Sequence, residues 1–200
     1  MIDNAFRELL PRFASPLVKL YTRLGLTPNG VSFVALGIAL LAAGCVAIDW
    51  PMAAVILWWL GRLADGTDGI YARATGQATD FGAYLDILLD MAAYGVMVIA
   101  FDIAHPEWHG RWLAMLFLYI LCITSALALG MQEAGRAMPK RDDRGLRLGA
   151  GLAEGGETGM AYTCFLLFPG QLGVLTAIWI AVLATTVVAR TVLCRRLLAD

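Results

Sequence analysis

The hydrophobic positions of this chain fall into long, nearly unbroken runs. "GVSFVALGIALLAAGCVAI" (Gly30–Ile48) and "QLGVLTAIWIAVLATTVVA" (Gln171–Ala189) are the clearest. Each approaches the ~20 apolar residues with which a helix crosses a hydrocarbon layer of ~30 Å. Four further apolar segments lie at roughly Met52–Ile70, Phe81–Ile103, Trp112–Met131 and Met160–Phe168. The last is short and is expected to begin near Gly149. Backbone groups in lipid must be hydrogen-bonded internally, and a barrel would show short alternating segments instead. The pattern therefore predicts an all-α integral membrane protein with six transmembrane helices. Pro51, Pro106 and Pro169 mark three tight connections.

Residues 1–25 have a different rhythm. Phe6, Leu9, Leu10, Phe13, Leu17, Leu20, Tyr21 and Leu24 recur at helical spacing, with Arg and Lys between them. This predicts an N-terminal amphipathic interfacial helix on the inner membrane surface, a pattern that an ordinary packed helix also satisfies. Arg7, Glu8, Pro11 and Arg12 interrupt any early apolar run, which argues against a cleavable signal. "LTPNGVS" then breaks the chain at Pro28 and Asn29. The expected organisation is a juxtamembrane helix, 1–25, followed by a six-span domain, 26–200.

Composition supports the class. The chain is 60% hydrophobic, with a mean hydropathy of +0.70, well above an ordinary soluble domain. The net charge of −1 predicts no nucleic-acid partner. The distribution of charge says more than its sum. Of the 15 Lys and Arg, all except Arg111 fall on one side of the expected membrane layout. That bias places both termini and the Asp65–Asp90 stretch on the cytoplasmic side of the cell (inner) membrane. Cys45, Cys122, Cys164 and Cys194 sit in separate apolar segments with no Cys-x-x-Cys pair, and are expected to be small core residues. Trp50, Trp108 and Trp112 are expected at the interface.

The chemistry concentrates in "DGTDGIYARATGQATDFGAYLDILLD". Asp65 and Asp68 are three residues apart near one helix end, and Asp86 and Asp90 are four apart in the next helix. Each pair shares a helix face. A short link lets the two helices be antiparallel neighbours, so that the four carboxylates cluster. A carboxylate in hydrocarbon needs a partner. Oxygen-only ligation selects Mg²⁺ or Mn²⁺ over zinc, and four carboxylates suffice for two divalent ions able to clamp a pyrophosphate. Gly66, Gly69 and Gly82 leave room for a nucleotide, and Gly76 is expected to serve the turn. Single acids near helix ends are commonly solvated or capping, and Asp80 fits that role. A cation-coupled transporter would also keep acids inside a bilayer.

The pattern Asp-x-x-Asp-Gly-x-x-Ala-Arg, eight residues, Gly-x-x-x-Asp-x-x-x-Asp resembles the signature of the CDP-alcohol phosphotransferases. It is matched at Asp65, Asp68, Gly69, Ala72, Arg73, Gly82, Asp86 and Asp90. The six-span layout, the amphipathic start and the "LTPN" turn are also similar to that family. The resemblance implies a membrane enzyme of phospholipid synthesis that transfers a phospho-alcohol from a CDP-linked donor to an acceptor alcohol and releases CMP. It implies metal ligation by Asp65, Asp68 and Asp86, with Asp90 activating the acceptor and also touching a metal. It further implies a CDP site at Gly69, Ala72, Arg73, Gly82 and Asn29, and a homodimer among membrane lipids. The chain most resembles the small bacterial members that use CDP-diacylglycerol. A CDP-choline or CDP-ethanolamine transferase acting on diacylglycerol is the alternative, and a hydrolase with water as acceptor is a third reading.

Two secondary groups remain. Arg141, Arg144 and Arg147 lie in a basic link and are candidates for an acceptor phosphate or lipid headgroup, or for topology alone. Glu154 and Glu157, in "GLAEGGETGMAY", are candidate acceptor contacts that would also suit a helix start. His105 and His109 flank Pro106 in an outer loop, where a metal role is not expected.

Overall fold

A computed structural model describes residues 14–135 and 155–198. It is helical, with no strand among the described residues. Residues 14–23 form α1. The others are α2 (Pro28–Ala47), α3 (Pro51–Ala74), α4 (Asp80–Ala104), α5 (His109–Gly135), α6 (Gly155–Leu167) and α7 (Leu172–Leu198). The expected start of the fifth span near Gly149 lies outside the described residues, as do Phe6, Leu9, Leu10 and Phe13.

Four stretches are long and apolar enough to cross a membrane: Pro28–Ala47, Asp80–Ala104, Pro106–Gln132 and Pro169–Leu198. α3 is long enough, but Arg62, Asp65, Asp68 and Arg73 interrupt its apolar run, and the described part of α6 is only 13 residues long.

Local chemistry sets the helix ends. Thr27 caps α2, its hydroxyl accepting from the Gly30 N–H at 3.1 Å, with Pro28 in the first turn. Thr79 caps α4 in the same way, accepting from the Gly82 N–H at 3.0 Å. Asp80 is therefore the first helical residue, exposed and suited to the positive helix end, while the capping side chain is its neighbour's. α3 ends at Ala74, and Gly76, whose φ is +67°, reverses the chain just beyond it. The Gly76 N–H reaches the Arg73 carbonyl at 3.3 Å and the Gln77 N–H the Ala72 carbonyl at 2.8 Å. Pro106 and Pro169 each open a single 3₁₀ turn between helices.

Packing departs from the expected arrangement in one respect that matters. α2 runs against both α3 and α4, whereas α3 and α4 touch each other little. The two aspartate helices are neighbours in sequence but are bridged by α2, which leaves side-chain room between them. Gly61 permits the close α2–α3 crossing: a Cβ there would lie 3.3 Å from the Ala35 carbonyl oxygen and 3.6 Å from the Ala39 nitrogen. α5 packs on α7, and α6 bridges α3 to α7.

Below the aspartates lies an aromatic core. Trp58, Tyr94, Phe101, Trp112, Tyr162 and Phe165 contact one another ring to ring. Trp112, expected at the interface, is fully buried here and donates to the His105 carbonyl at 3.0 Å, whereas Trp50 is exposed. The cysteines are free and half-buried, and Cys45 and Cys122 pack against the main core as expected. α1 is anchored by Tyr21, which lies 5.5 Å from the Tyr71 ring and shares a hydrogen bond of 2.9 Å with the Thr67 hydroxyl. Leu20 and Leu24 remain exposed.

Candidate active site

α3 and α4 carry the acids, and their helical repeat aims them at one space. On α3, Trp58, Arg62 and Asp65 form an i, i+4, i+7 stripe. On α4, Asp86, Asp90 and Tyr94 form an i, i+4, i+8 stripe. Asp65, Asp68 and Asp86 converge, each offering an oxygen within 4.8 Å of the others. Asp68 is buried, with 6% exposure, and accepts a hydrogen bond from the Ser32 hydroxyl of α2. The bridging helix thus supplies a fixed donor to the most buried carboxylate of the cluster.

The fourth acid has different company. Asp90 pairs with the Arg62 guanidinium, and the same Nη1 reaches Asp65 Oδ2 at 3.4 Å and the Tyr94 hydroxyl at 3.3 Å. Arg62 is held between two rings, its guanidinium carbon 4.9 Å from the Trp58 centroid and 5.1 Å from that of Tyr94. Its side chain is 7% exposed, whereas those of Asp65 and Asp90 retain 20% and 24%. The cation is sealed in, while the acids stay partly exposed.

The glycines of the motif border this space. A Cβ on Gly82 would meet Asn29 Oδ1 at 3.2 Å and Thr79 Oγ1 at 3.3 Å, so Asn29 and Gly82 come together from α2 and α4. A Cβ on Gly69 would meet Arg73 Nη1 at 3.4 Å. Ala72 is half-buried and Arg73 exposed at the end of α3. Glu157 lies in the first turn of α6, with its Oε2 buried and unpaired among the described residues. Arg141, Arg144, Arg147 and Glu154 lie outside the described residues. At the opposite end of α4, His109 pairs with Asp102 at 2.9 Å and His105 with Glu107 at 3.3 Å.

Residues 25–188 match the sequence profile of the CDP-alcohol phosphatidyltransferases. The chain belongs to this family. An inner membrane protein of Escherichia coli, YnjF, is 33% identical over 84% of this chain and 83% of its own length. The phosphatidylinositol phosphate synthase of Mycobacteroides abscessus is 28% identical over 90% of this chain and 82% of its own. Crystal structures of the Mycobacterium tuberculosis phosphatidylinositol phosphate synthase share the fold. With CDP-DAG bound, the TM-score is 0.68 at 19% identity, covering 92% of this chain and 94% of that one. With manganese and citrate, it is 0.68 at 20% identity, covering 90% and 88%.

For a CDP-alcohol phosphatidyltransferase the donor set is chemically apt. Three convergent carboxylates, one of them buried and oriented by a hydroxyl, suit hard divalent ions such as Mg²⁺ or Mn²⁺. The sequence reading missed three neighbours of the site. Arg62 was counted only toward topology, although an arginine three residues before Asp65 inside an apolar helix was a signal for an internal ion pair. Tyr94 continues the Asp86–Asp90 stripe by one more turn and could have been found that way. Ser32 had no local signal, because its bond to Asp68 joins residues 36 apart.

Proposed function

We propose that this protein transfers a phosphatidyl group from CDP-diacylglycerol to an acceptor alcohol and releases CMP. The carrying observation is the convergence of Asp65, Asp68 and Asp86 from two helices, with Asp90 partly exposed and joined to Asp65 through Arg62. Two divalent ions held by Asp65, Asp68 and Asp86, with Asp90 at the edge of the set, would neutralise the pyrophosphate and stabilise charge in the displacement. Asn29, Gly69, Ala72, Arg73 and Gly82 bind the CDP portion; the small residues admit it and Arg73 supplies positive charge. Asp90 takes the proton of the acceptor hydroxyl as its oxygen attacks the lipid-bearing phosphorus. The bond from that phosphorus to the bridging oxygen breaks, and CMP leaves. A water molecule in place of the alcohol would yield hydrolysis, so the acceptor must exclude it.

Glu157 on α6, and Glu154, Arg141, Arg144 and Arg147 before it in sequence, are the residues proposed to contact the acceptor. The six helices α2–α7 all cross the inner membrane, with α1 on its cytoplasmic surface, both termini and the active site on the cytoplasmic side, and the protein as a homodimer. The positive charge on that side and the exposed apolar residues along the long helices support this layout.

The test is CMP release by the purified protein in liposomes containing CDP-diacylglycerol and Mn²⁺ or Mg²⁺. The alcohol panel includes glycerol 3-phosphate, serine, inositol, inositol phosphate and glycerol. Release that depends on metal and one alcohol, gives a product containing that alcohol and is lost in Asp90→Asn is the expected result. CMP release indifferent to every alcohol would establish hydrolysis instead. Activity only with CDP-choline or CDP-ethanolamine and diacylglycerol would overturn the donor assignment.

A further inference from the structure

Arg62 is the one guanidinium whose described contacts join the acid site. It sits on the helix of Asp65 and Asp68, yet its charge is directed to Asp90 on α4. A buried cation must be compensated, and one whose partner is removed is costly. The rings of Trp58 and Tyr94 cover its two sides, and the Tyr94 hydroxyl accepts from the nitrogen that serves Asp90. Arg62 is therefore much less free to move than the acids it serves. The α3 and α4 backbones approach each other little, so at this level the two helices meet through Arg62 and the Trp58–Tyr94 ring contact. The position of Asp90 relative to the α3 acids is consequently set by this side chain rather than by close backbone contact.

We infer that Arg62 is a positioning residue, which holds the Asp90 carboxylate at the rim of the three-acid cluster, where the acceptor hydroxyl arrives. The inference rests on the transferase reading above. Arg62 carries out no proton transfer and is sealed from substrate by its burial. Its contribution is to keep Asp90 in one orientation between turnovers, and to do so without opposing the metal-binding acids more than a single charge must. It follows that removing Arg62 should harm the chemical step far more than it harms cation binding. Removing a positive charge 3.4 Å from Asp65 makes the cluster more negative, so cation binding is expected to hold or tighten.

The experiment compares wild type, Arg62→Gln, Arg62→Lys, Asp90→Asn and the Arg62→Gln/Asp90→Asn double variant. Mn²⁺ binding is read by electron paramagnetic resonance without substrate, and kcat and KM by CMP release. Arg62→Gln should lower kcat by roughly 10²-fold with KM for the CDP donor within about threefold. Its Mn²⁺ affinity should equal or exceed wild type. Arg62→Lys, which keeps the charge but loses the fork, should recover about a tenth of the lost activity or more. The double variant should be no worse than Asp90→Asn within roughly threefold, because both changes remove one function.

The inference is overturned if Arg62→Gln keeps kcat, or if Mn²⁺ affinity falls together with kcat, as a purely structural role would cause. If the Gln variant does not fold, Arg62→Lys decides: a fall in kcat with unchanged Mn²⁺ affinity supports the inference, and parallel losses overturn it. Failure of the transferase reading looks different. In that case the wild-type protein itself releases no CMP, or Asp65→Asn leaves Mn²⁺ binding intact.

Discussion

Replacing Ser32 by alanine removes one oxygen and nothing else from the wall of the site. Ser32 is 6% exposed and its hydroxyl donates to Asp68, which is equally buried. The Pro28 carbonyl, 3.3 Å from the same hydroxyl, is satisfied within the helix and needs no replacement. The loss therefore falls on the carboxylate. A hydrogen bond to a charged group contributes about 1.5–3 kcal/mol, and leaving the charged partner unsatisfied in a buried place costs at least that much. At about 1.4 kcal/mol per factor of ten, the range corresponds to roughly 10–150-fold. Outer donors that orient metal-binding carboxylates have effects of about 10–100-fold on affinity, the same range. Ser32→Ala should accordingly bind Mn²⁺ about 30-fold more weakly, while Asp68 itself is retained. CMP release should fall at limiting Mn²⁺ and recover substantially at saturating Mn²⁺. Resonance titration of the purified protein gives the first quantity, and a metal-dependence curve for CMP release the second. Mn²⁺ affinity within about threefold of wild type would refute the argument that α2 orients the metal-binding acids.

Four other outcomes follow from the same geometry. Asp86→Asn removes one of three convergent oxygens and should abolish tight Mn²⁺ binding and lower activity by roughly 10³-fold, measured by the same two assays. Gly61→Val places a branched side chain against the Ala35 and Ala39 backbone, which cannot yield. It should destabilise the protein by about 1–3 kcal/mol in thermal melts and reduce kcat by displacing α3, with Gly61→Ala intermediate. Gly82→Ala crowds Asn29 Oδ1 at 3.2 Å, a side-chain atom able to turn away, and should raise KM for the CDP donor by roughly tenfold with Mn²⁺ affinity unchanged. Gly173→Ala is the control at the opposite end of the bundle. Its Cβ would fall 2.8 Å from the Trp108 ring, beneath Arg111, which bonds the Gly173 carbonyl. It should lower the melting temperature while leaving Mn²⁺ affinity as in wild type.

The spacing of Asp65, Asp68, Asp86 and Asp90 was enough, before any coordinates, to put two acids on one face of each of two successive helices. Helical periodicity is a local property, and a chain this apolar has few ways to shelter its backbone other than helices. The turn at Gly76 was legible for the same reason, since it acts within a few residues of itself, whereas the cap of α4 fell to Thr79 and not to Asp80. What the chain order could not reveal is which helix lies between which. α3 and α4 adjoin in sequence, yet α2 packs against both and brings Ser32 to Asp68 across 36 positions. Only that arrangement separates the acids into a three-carboxylate cluster and an Asp90 paired with Arg62. Trp112 shows the same divide. Its place near the end of an apolar run suggested the interface, whereas packing with Phe101 and Phe165 buries it completely. Periodicity follows from the geometry of one helix and is written in the sequence. The choice of partner depends on how side chains from distant helices fill a shared volume, and only the tertiary structure decides it.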